Sequence, residues 1–400
     1  MRKTGLLVAF SVLLLFATGC WNRRELNDLA IAVAVGIDKA DNNYRVSVQV
    51  VDPSEVAAKK GGGTRTPVTM YQSSGQTIME AIRRMTTVSP RKIYASHLRM
   101  LVVQEQVAKE GIGEVLDLLS RDHEVRTDFY IVVAKDTRAA DTLKILTHLE
   151  SIPANHLFSS LQTSQRSWSP TVAVTLDRLI ADIVSEGKNP AVTGLRVKGE
   201  REIGETRQNV EEIAASAQLQ YSGLAVFKKD KLVGWLDETE SKAYNYILDQ
   251  VTGSAGIVPC PGGGKVSLEV VRSKTKVKSK LENGEPRIKI TVQIELSVSE
   301  VTCGIDLTKR ESIEQLEKLE ENKVRNFITE TIKRVQRDYQ SDIFGFGDVI
   351  HRSHPKYWKT AKADWDRRFA QLPVDLNVES NIRLIGTESS SFLKEMKKKE

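Results

Sequence analysis

Past residue 16 the chain has no apolar run approaching the about 20 residues that a membrane-spanning helix needs. Nothing after its leader therefore crosses a bilayer as a helix. Cysteine is scarce, with 3 in 400 residues. Catalytic signatures are missing too. There is no His-Glu-x-x-His, no Gly-x-Ser-x-Gly and no glycine-rich loop opening a helix after a strand. Lys59-Lys60-Gly61-Gly62-Gly63 has no Gly-Lys-Ser/Thr in the order a phosphate loop requires, so it reads as a surface loop. His351 and His354 stand three apart, but no third ligand lies nearby and Pro355 breaks the helix. They read as surface or core histidines, not a metal site. Asp and Glu mostly alternate with Lys and Arg, as on solvated helix faces. The sequence motivates no enzyme, no metal and no cofactor.

What is present begins at the amino terminus. Arg2 and Lys3 precede an apolar run from Leu6 to Phe16, followed by the small residues Ala17, Thr18 and Gly19 and then Cys20. That run has the length of a signal-peptide core. Small side chains flank the bond a peptidase would cut, and the thiol just beyond it can take a diacylglycerol as a thioether. Cys20 is thus expected to be the first residue of a mature bacterial lipoprotein, although lipoboxes more often carry Leu where this chain has Ala17. The competing reading is an ordinary secretory signal beside an unrelated cysteine. One acyl chain gives marginal membrane binding and two give stable anchoring, so a diacylglyceryl Cys20 would hold the body at a bilayer.

Removing residues 1–19 leaves about 380 residues, enough for two or three domains. It also takes Arg2 and Lys3 from the formal net charge of +6, leaving +4. That balance suits a protein near an anionic bilayer and gives little reason to expect nucleic acid. Cys260 and Cys303 remain, one in a loop before Pro261 and Gly262, the other ending a strand. An exported chain permits their pairing, but two unpaired thiols are the favoured reading.

Along the chain, strands and helices alternate in the first half. Leu29 to Asp38 and Tyr44 to Asp52 form a hairpin. Thr77 to Thr87 and Val107 to Leu119 read as helices, and Leu98 to Val103 and Thr127 to Ala134 as strands. Thr137 to Leu149, Asn155 to Gln165 and Val174 to Ser185 are expected helices, and Ala191 to Lys198 a strand. The expected division is a leader at 1–19, an N-terminal α+β region at 20–200 with two subdomains, and a connector at 201–217. A C-terminal α+β domain at 218–388 and a basic tail at 389–400 follow. The second half opens with a hairpin over Gln218 to Leu236 and a helix over Thr239 to Gln250. Val266 to Lys280 then runs out, Asn283-Gly284 turns, and Arg287 to Val298 returns.

Period two puts Ile288, Ile290, Val292, Ile294, Leu296 and Val298 on one face of the returning strand. It likewise aligns Arg272, Lys274, Lys276, Lys278 and Lys280 on the outgoing one. That basic stripe either meets lipid headgroups or an acidic partner, or is a solvated face or charged edge; the solvated reading is favoured. Thr308 to Gln340 reads as the longest helix, roughly 45 Å at 1.5 Å per residue. Val374 to Ile385 is the last strand. The fold class is α+β: a multi-domain body of mixed and antiparallel sheets packed by helices, one of them long and near the carboxyl terminus.

Two sets of residues resemble a known family. Cys20-Trp21-Asn22-Arg23-Arg24-Glu25-Leu26 is similar to the Cys-Trp-Asp-x-Arg-Glu-Ile/Leu opening of the Ger(x)C spore germination lipoproteins, with Asn22 in place of the usual Asp. On physics alone Trp21 reads equally well as an interfacial aromatic. Gly223 to Lys228, Gly234-Trp235-Leu236, Asp342-Ile343-Phe344-Gly345-Phe346-Gly347, Trp358, Trp365 and the strand before Gly386 resemble the family's C-terminal domain. The resemblance implies a three-domain α+β body and the role of a C subunit of a nutrient germinant receptor. It implies an A subunit and a transporter-like B subunit as partners, and the outer face of the spore inner membrane as the location. The alternative from another class is a lipoprotein that captures a solute in a deep two-lobed cleft for a transporter. A third possibility, a lipid-anchored hydrolase, would need a buried nucleophile–base pair.

Overall fold

A computed structural model describes residues 28–57, 66–260 and 263–384. The leader, Cys20, Trp21 to Leu26, Gly61 to Gly63, Gly262, Gly386 and the basic tail lie outside them.

Nine strands form the first sheet: β1 (Leu29–Ala40), β2 (Asn43–Val51), β3 (Val68–Gly75), β4 (Lys92–Tyr94), β5 (Met100–Gln104), β6 (Tyr130–Ala134), β7 (Ala191–Gly199), β8 (Ala217–Lys228) and β9 (Lys231–Leu236). Their order is β3-β2-β1-β5-β6-β7-β8-β9, with β4 beside the start of β1. β1, β5, β6 and β7 run parallel, while the hairpins at either end are antiparallel. Helices of six residues or more in this half are α1 (Ile78–Arg84), α2 (Glu105–Glu110), α3 (Gly113–Arg121), α4 (Ala139–Lys144), α5 (Pro153–Ser167) and α6 (Leu176–Val184). The helix expected over Val107 to Leu119 is two helices. Gly111 breaks it at φ +132°, a conformation that an L side chain rarely adopts.

The unbroken apolar run of β6 follows from burial on both faces, as parallel strands require. Ile131 and Val133 point to the core shared with α2, α3 and α6, and Val132 and Ala134 to the core of α4 and α5.

The expected connector ends where β8 begins, and β8 pairs antiparallel with β7 from Ala191↔Val226 to Gly199↔Ala217. The hairpin at 217–236 thus follows the connector in sequence but extends the first sheet in space. Within the N-terminal region, β1 to β7 share that one sheet, so the two expected subdomains do not show as two sheets.

The second sheet, β10 (Ser254–Pro259), β11 (Lys265–Glu282), β12 (Glu285–Val301) and β13 (Val374–Leu384), is antiparallel except for β12 with β13. Helix α7 (Glu238–Ile247) opens with a full capping box at Asp237 and Glu240. α8 (Arg310–Arg334) is the expected long helix, closed by a π turn over Val335–Tyr339. Then come α9 (Phe346–Ser353), α10 (Pro355–Ala361) and α11 (Trp365–Ala370).

All six alternating aliphatics of β12 are buried. α8 supplies Leu316, Val324 and Ile328 to the same core. The tip turns through Asn283 and Gly284 with positive φ, as a tight hairpin requires. A register shift between Val270 and Arg272 inverts the phase of β11. Val266, Leu268 and Val270 face the core before it; Ser273, Thr275 and Val277 lie opposite the core-facing residues of β12 after it, so the even-numbered lysines turn outward.

Candidate functional site

A recess of about 600 Å³ opens where β5 and β6 end. The connection leaving β5 crosses one face of the sheet through α2 and α3, and that leaving β6 crosses the other through α4 and α5. The recess lies outside the carboxyl ends of parallel strands, where open α/β sheets bind ligands, although the strand order β1-β5-β6-β7 does not reverse here. Its lining includes Glu105, Lys109, Asp136, Arg138, Asp141 and Arg201. Most of these charges are already engaged. Arg201 reaches buried Asp141 at 2.8 Å and Arg138 stands 3.5 Å from it. Burial pushes the Glu105 carboxyl up, but hydrogen bonds from Lys109 and from Trp235 Nε1 outweigh it and hold the group below its usual range. Beneath the recess, Asp38 is fully buried and accepts from the backbone N–H groups of Ala139 at 2.7 Å and Ala140 at 2.9 Å. Burial raises its carboxyl and those two donors oppose the rise.

The second built feature is the joint between the sheets. Asp342 has no exposed surface. Its carboxylate accepts from the backbone N–H groups of Gly345 at 2.8 Å, Phe346 at 3.1 Å and Gly347 at 2.8 Å, and from Trp365 Nε1 at 3.1 Å. Burial pushes this carboxyl up to about 7, against the pull of the four donors. The Asp342 carbonyl accepts from Asn189 N at 2.7 Å, and Ser341 Oγ donates to the Phe227 carbonyl on β8 at 2.6 Å. A Cβ at Gly347 would lie 2.6 Å from Gly187 Cα and 2.7 Å from Trp365 Nε1, so only glycine lets these segments meet. Tyr339, presented by the π turn, donates to the Trp235 carbonyl at 2.8 Å and lies against Gly234. The short strings Gly223 to Lys228, Gly234 to Leu236 and Asp342 to Gly347, with Trp365, thus converge on one joint. Sequence reasoning found them only through resemblance, because nothing local in the sequence pairs Asp342 with Trp365.

Other expected residues separate. His351 stacks on Trp358 at 5.6 Å, while His354 Nε2 turns to the Ser279 carbonyl at 3.4 Å. No group of three His, Cys, Asp or Glu suited to a metal occurs among the described residues. Cys260 and Cys303 correct the expectation of two unpaired thiols. They form a disulfide, with Cα atoms 6.4 Å apart, because β11 brings the ends of β10 and β12 side by side.

Known proteins bear on this fold directly. Residues 22–197 match the family described as "Spore germination protein N-terminal domain", and residues 222–386 match "Spore germination B3/ GerAC like, C-terminal". The chain is 31% identical to spore germination protein KC of Bacillus subtilis (strain 168) over 99% of each chain. It is 24% identical to spore germination protein B3 of the same organism, over 94% of this chain and 98% of that one. A crystal structure of the GerBC protein shares the fold at a TM-score of 0.54 and 19% identity, covering 87% of this chain and 96% of that one. With its two halves matched by the family's two domains and its whole length by relatives, this chain belongs to the GerAC-like family of spore germination proteins.

Proposed function

We propose that this chain is the lipid-anchored C subunit of a spore germinant receptor and takes part in nutrient-triggered germination. Its thiol at Cys20 carries a diacylglycerol thioether. Its body stands on the outer face of the spore inner membrane and assembles with an A subunit and a transporter-like B subunit. The observation that carries this reading is the end-to-end match to a spore germination protein, with 99% of both chains covered. Support for the tether comes from Gly19-Cys20 behind an apolar run too short to span a bilayer. No described helix is long and apolar enough to cross a membrane, so a lipid supplies what the described helices do not. The work of the subunit is assembly and binding.

The test is co-purification from dormant-spore inner membrane of the wild-type chain and Cys20→Ala. Wild type is expected to bring down two integral membrane subunits. Cys20→Ala is expected to leave the membrane fraction and to slow nutrient germination. A wild-type chain recovered with a solute permease from vegetative membranes, and germination indifferent to the substitution, would overturn the reading.

A further inference from the structure

The outer face of the second sheet is cationic in a way the fold does not use. β11 and β12 place Lys276 opposite Thr291, Lys278 opposite Lys289 and Lys280 opposite Arg287. These positions alternate with the buried Ile288 and Ile290, so their side chains leave the core side. Several anions around this face already have partners. Asp249 holds Lys274, Asp375 and Glu282 hold Arg287, Glu379 accepts from Gln293 Nε2, and Glu295 holds Arg383. Lys276, Lys278, Lys280 and Lys289 have no ion pair among the described residues.

Like charges directly opposite across an antiparallel pair, with Cβ atoms about 5 Å apart, are destabilising. The Lys278–Lys289 pair therefore costs the hairpin something, offset only in part by Asp375, which the register puts beside Lys289 on β13 while its carboxylate holds Arg287. Protection of a sheet edge does not explain the whole cluster either, because Lys289 lies on β12, an interior strand flanked by β11 and β13.

We infer that Lys276, Lys278, Lys280 and Lys289 form a docking face for an anionic lipid surface, against which the tethered body lies. This rests on the reading of Cys20 as the tether. Cys20 is eight residues from Asp28, where the described fold starts. Fully extended, that stretch spans at most about 29 Å, so a bilayer is always within reach of the body. The lysines are spread over a pleated sheet, as suits a broad charged surface. A basic residue near an anionic bilayer contributes about 1 kcal/mol. Four together give a salt-sensitive affinity for an anionic bilayer, enough to orient a tethered domain and to be measured without the tether.

The experiment uses the mature chain with Cys20→Ser, so that no lipid contributes. Its sedimentation with vesicles of phosphatidylglycerol and phosphatidylcholine is compared with phosphatidylcholine alone, at low and high salt. Binding is expected only with phosphatidylglycerol and is lost at about 0.5 M salt through screening. Changing the four lysines to Gln is expected to weaken it about a thousandfold, and Lys278→Gln alone about fivefold. Lys318→Gln with Lys333→Gln, on α8 at the other side of the sheet, leaves binding unchanged. Thermal unfolding of each variant shows that the fold is retained.

Binding to polyglutamate but not to vesicles would assign the face to an acidic protein and overturn the inference, as would vesicle binding indifferent to the four substitutions. Because the chain lacks its lipid here, failure of the face leaves the Cys20 tether standing. Loss of the tether in spores would not by itself abolish vesicle binding.

Discussion

The two sheets are built to opposite rules. The first is wrapped by helices on both faces, and its central parallel strands are apolar through and through. The second is covered on one face by α7 and α8 and leaves the other to solvent, so β12 alternates between buried and open positions. The charges follow the architecture. At the mouth of the first sheet, Asp141 gathers Arg138, Lys144 and Arg201. On the open face of the second, Lys276, Lys278, Lys280 and Lys289 have no ion pair among the described residues. A region whose charges are neutralised internally is part of the scaffold, whereas a region left with excess charge is available to something outside the chain.

The sharpest way to break the comparison is at the joint that couples the sheets. Asp342→Ala removes the acceptor for three backbone N–H groups and one indole N–H, all buried. The expected loss is about 4 kcal/mol, since each orphaned donor costs about 1–3 kcal/mol and the terms do not fully add. The two sheets should then melt separately, seen as a second transition in calorimetry. One cooperative transition at the wild-type temperature would show that the joint carries no coupling.

The same carboxyl sets a pH dependence. Its folded value of about 7 lies above its ordinary 3.8, so between those values the folded state holds a proton that the unfolded state has lost. The stabilisation is complete below about pH 4 and is lost as pH rises through about 7. The stability gap between wild type and Asp342→Ala should therefore narrow over that range.

A smaller break is available at the far end of the second sheet. The disulfide closes a loop with a sequence separation of 43 residues, for which chain entropy predicts about 4 kcal/mol. Reduction, or Cys260→Ser with Cys303→Ser, should lower the unfolding free energy by that amount, read as a lower denaturant midpoint. Two titratable thiols in the oxidised, unfolded chain would refute the pairing.

How much of this the sequence disclosed depends on the range of the interaction. Ile288 to Val298 and Asn283-Gly284 could be read because a hairpin's register and turn are local. The long helix was legible from its length and its stripe of Leu316, Phe327 and Ile328. Cys260 with Cys303 was not, since the pairing depends on β11 lying between their strands. The attachment of β8 to β7 was hidden behind a polar connector, and a strand's sequence does not name its neighbour. The bulge at Val271 was hidden as well. The even positions stay regular through it while their meaning changes from core to solvent. Of the sites, the lysine stripe was visible by period two, but which members have partners became clear only when Asp249 was found holding Lys274 and Asp375 holding Arg287.

The smallest effect tests the covered side of the second sheet. Glu320 on α8 is 3% exposed. Its Oε2 finds no hydrogen-bond partner among the described residues, and Lys323 Nζ stands 3.7 Å off, too far for a hydrogen bond. Gly256 makes room for it, since a Cβ there would lie 2.7 Å from Oε1. Burial raises this carboxyl, with Lys323 opposing. A raised acid stabilises the fold below its unfolded value, and that contribution is lost as pH rises through the folded one. Glu320→Gln keeps the shape and removes the charge. It should gain about 1 kcal/mol at pH 8 and little at pH 5, measured by urea unfolding. A variant weaker than wild type at both values would mean that Glu320 is fully paired as a carboxylate. The covered face would then, like the mouth of the first sheet, neutralise its charge within the chain.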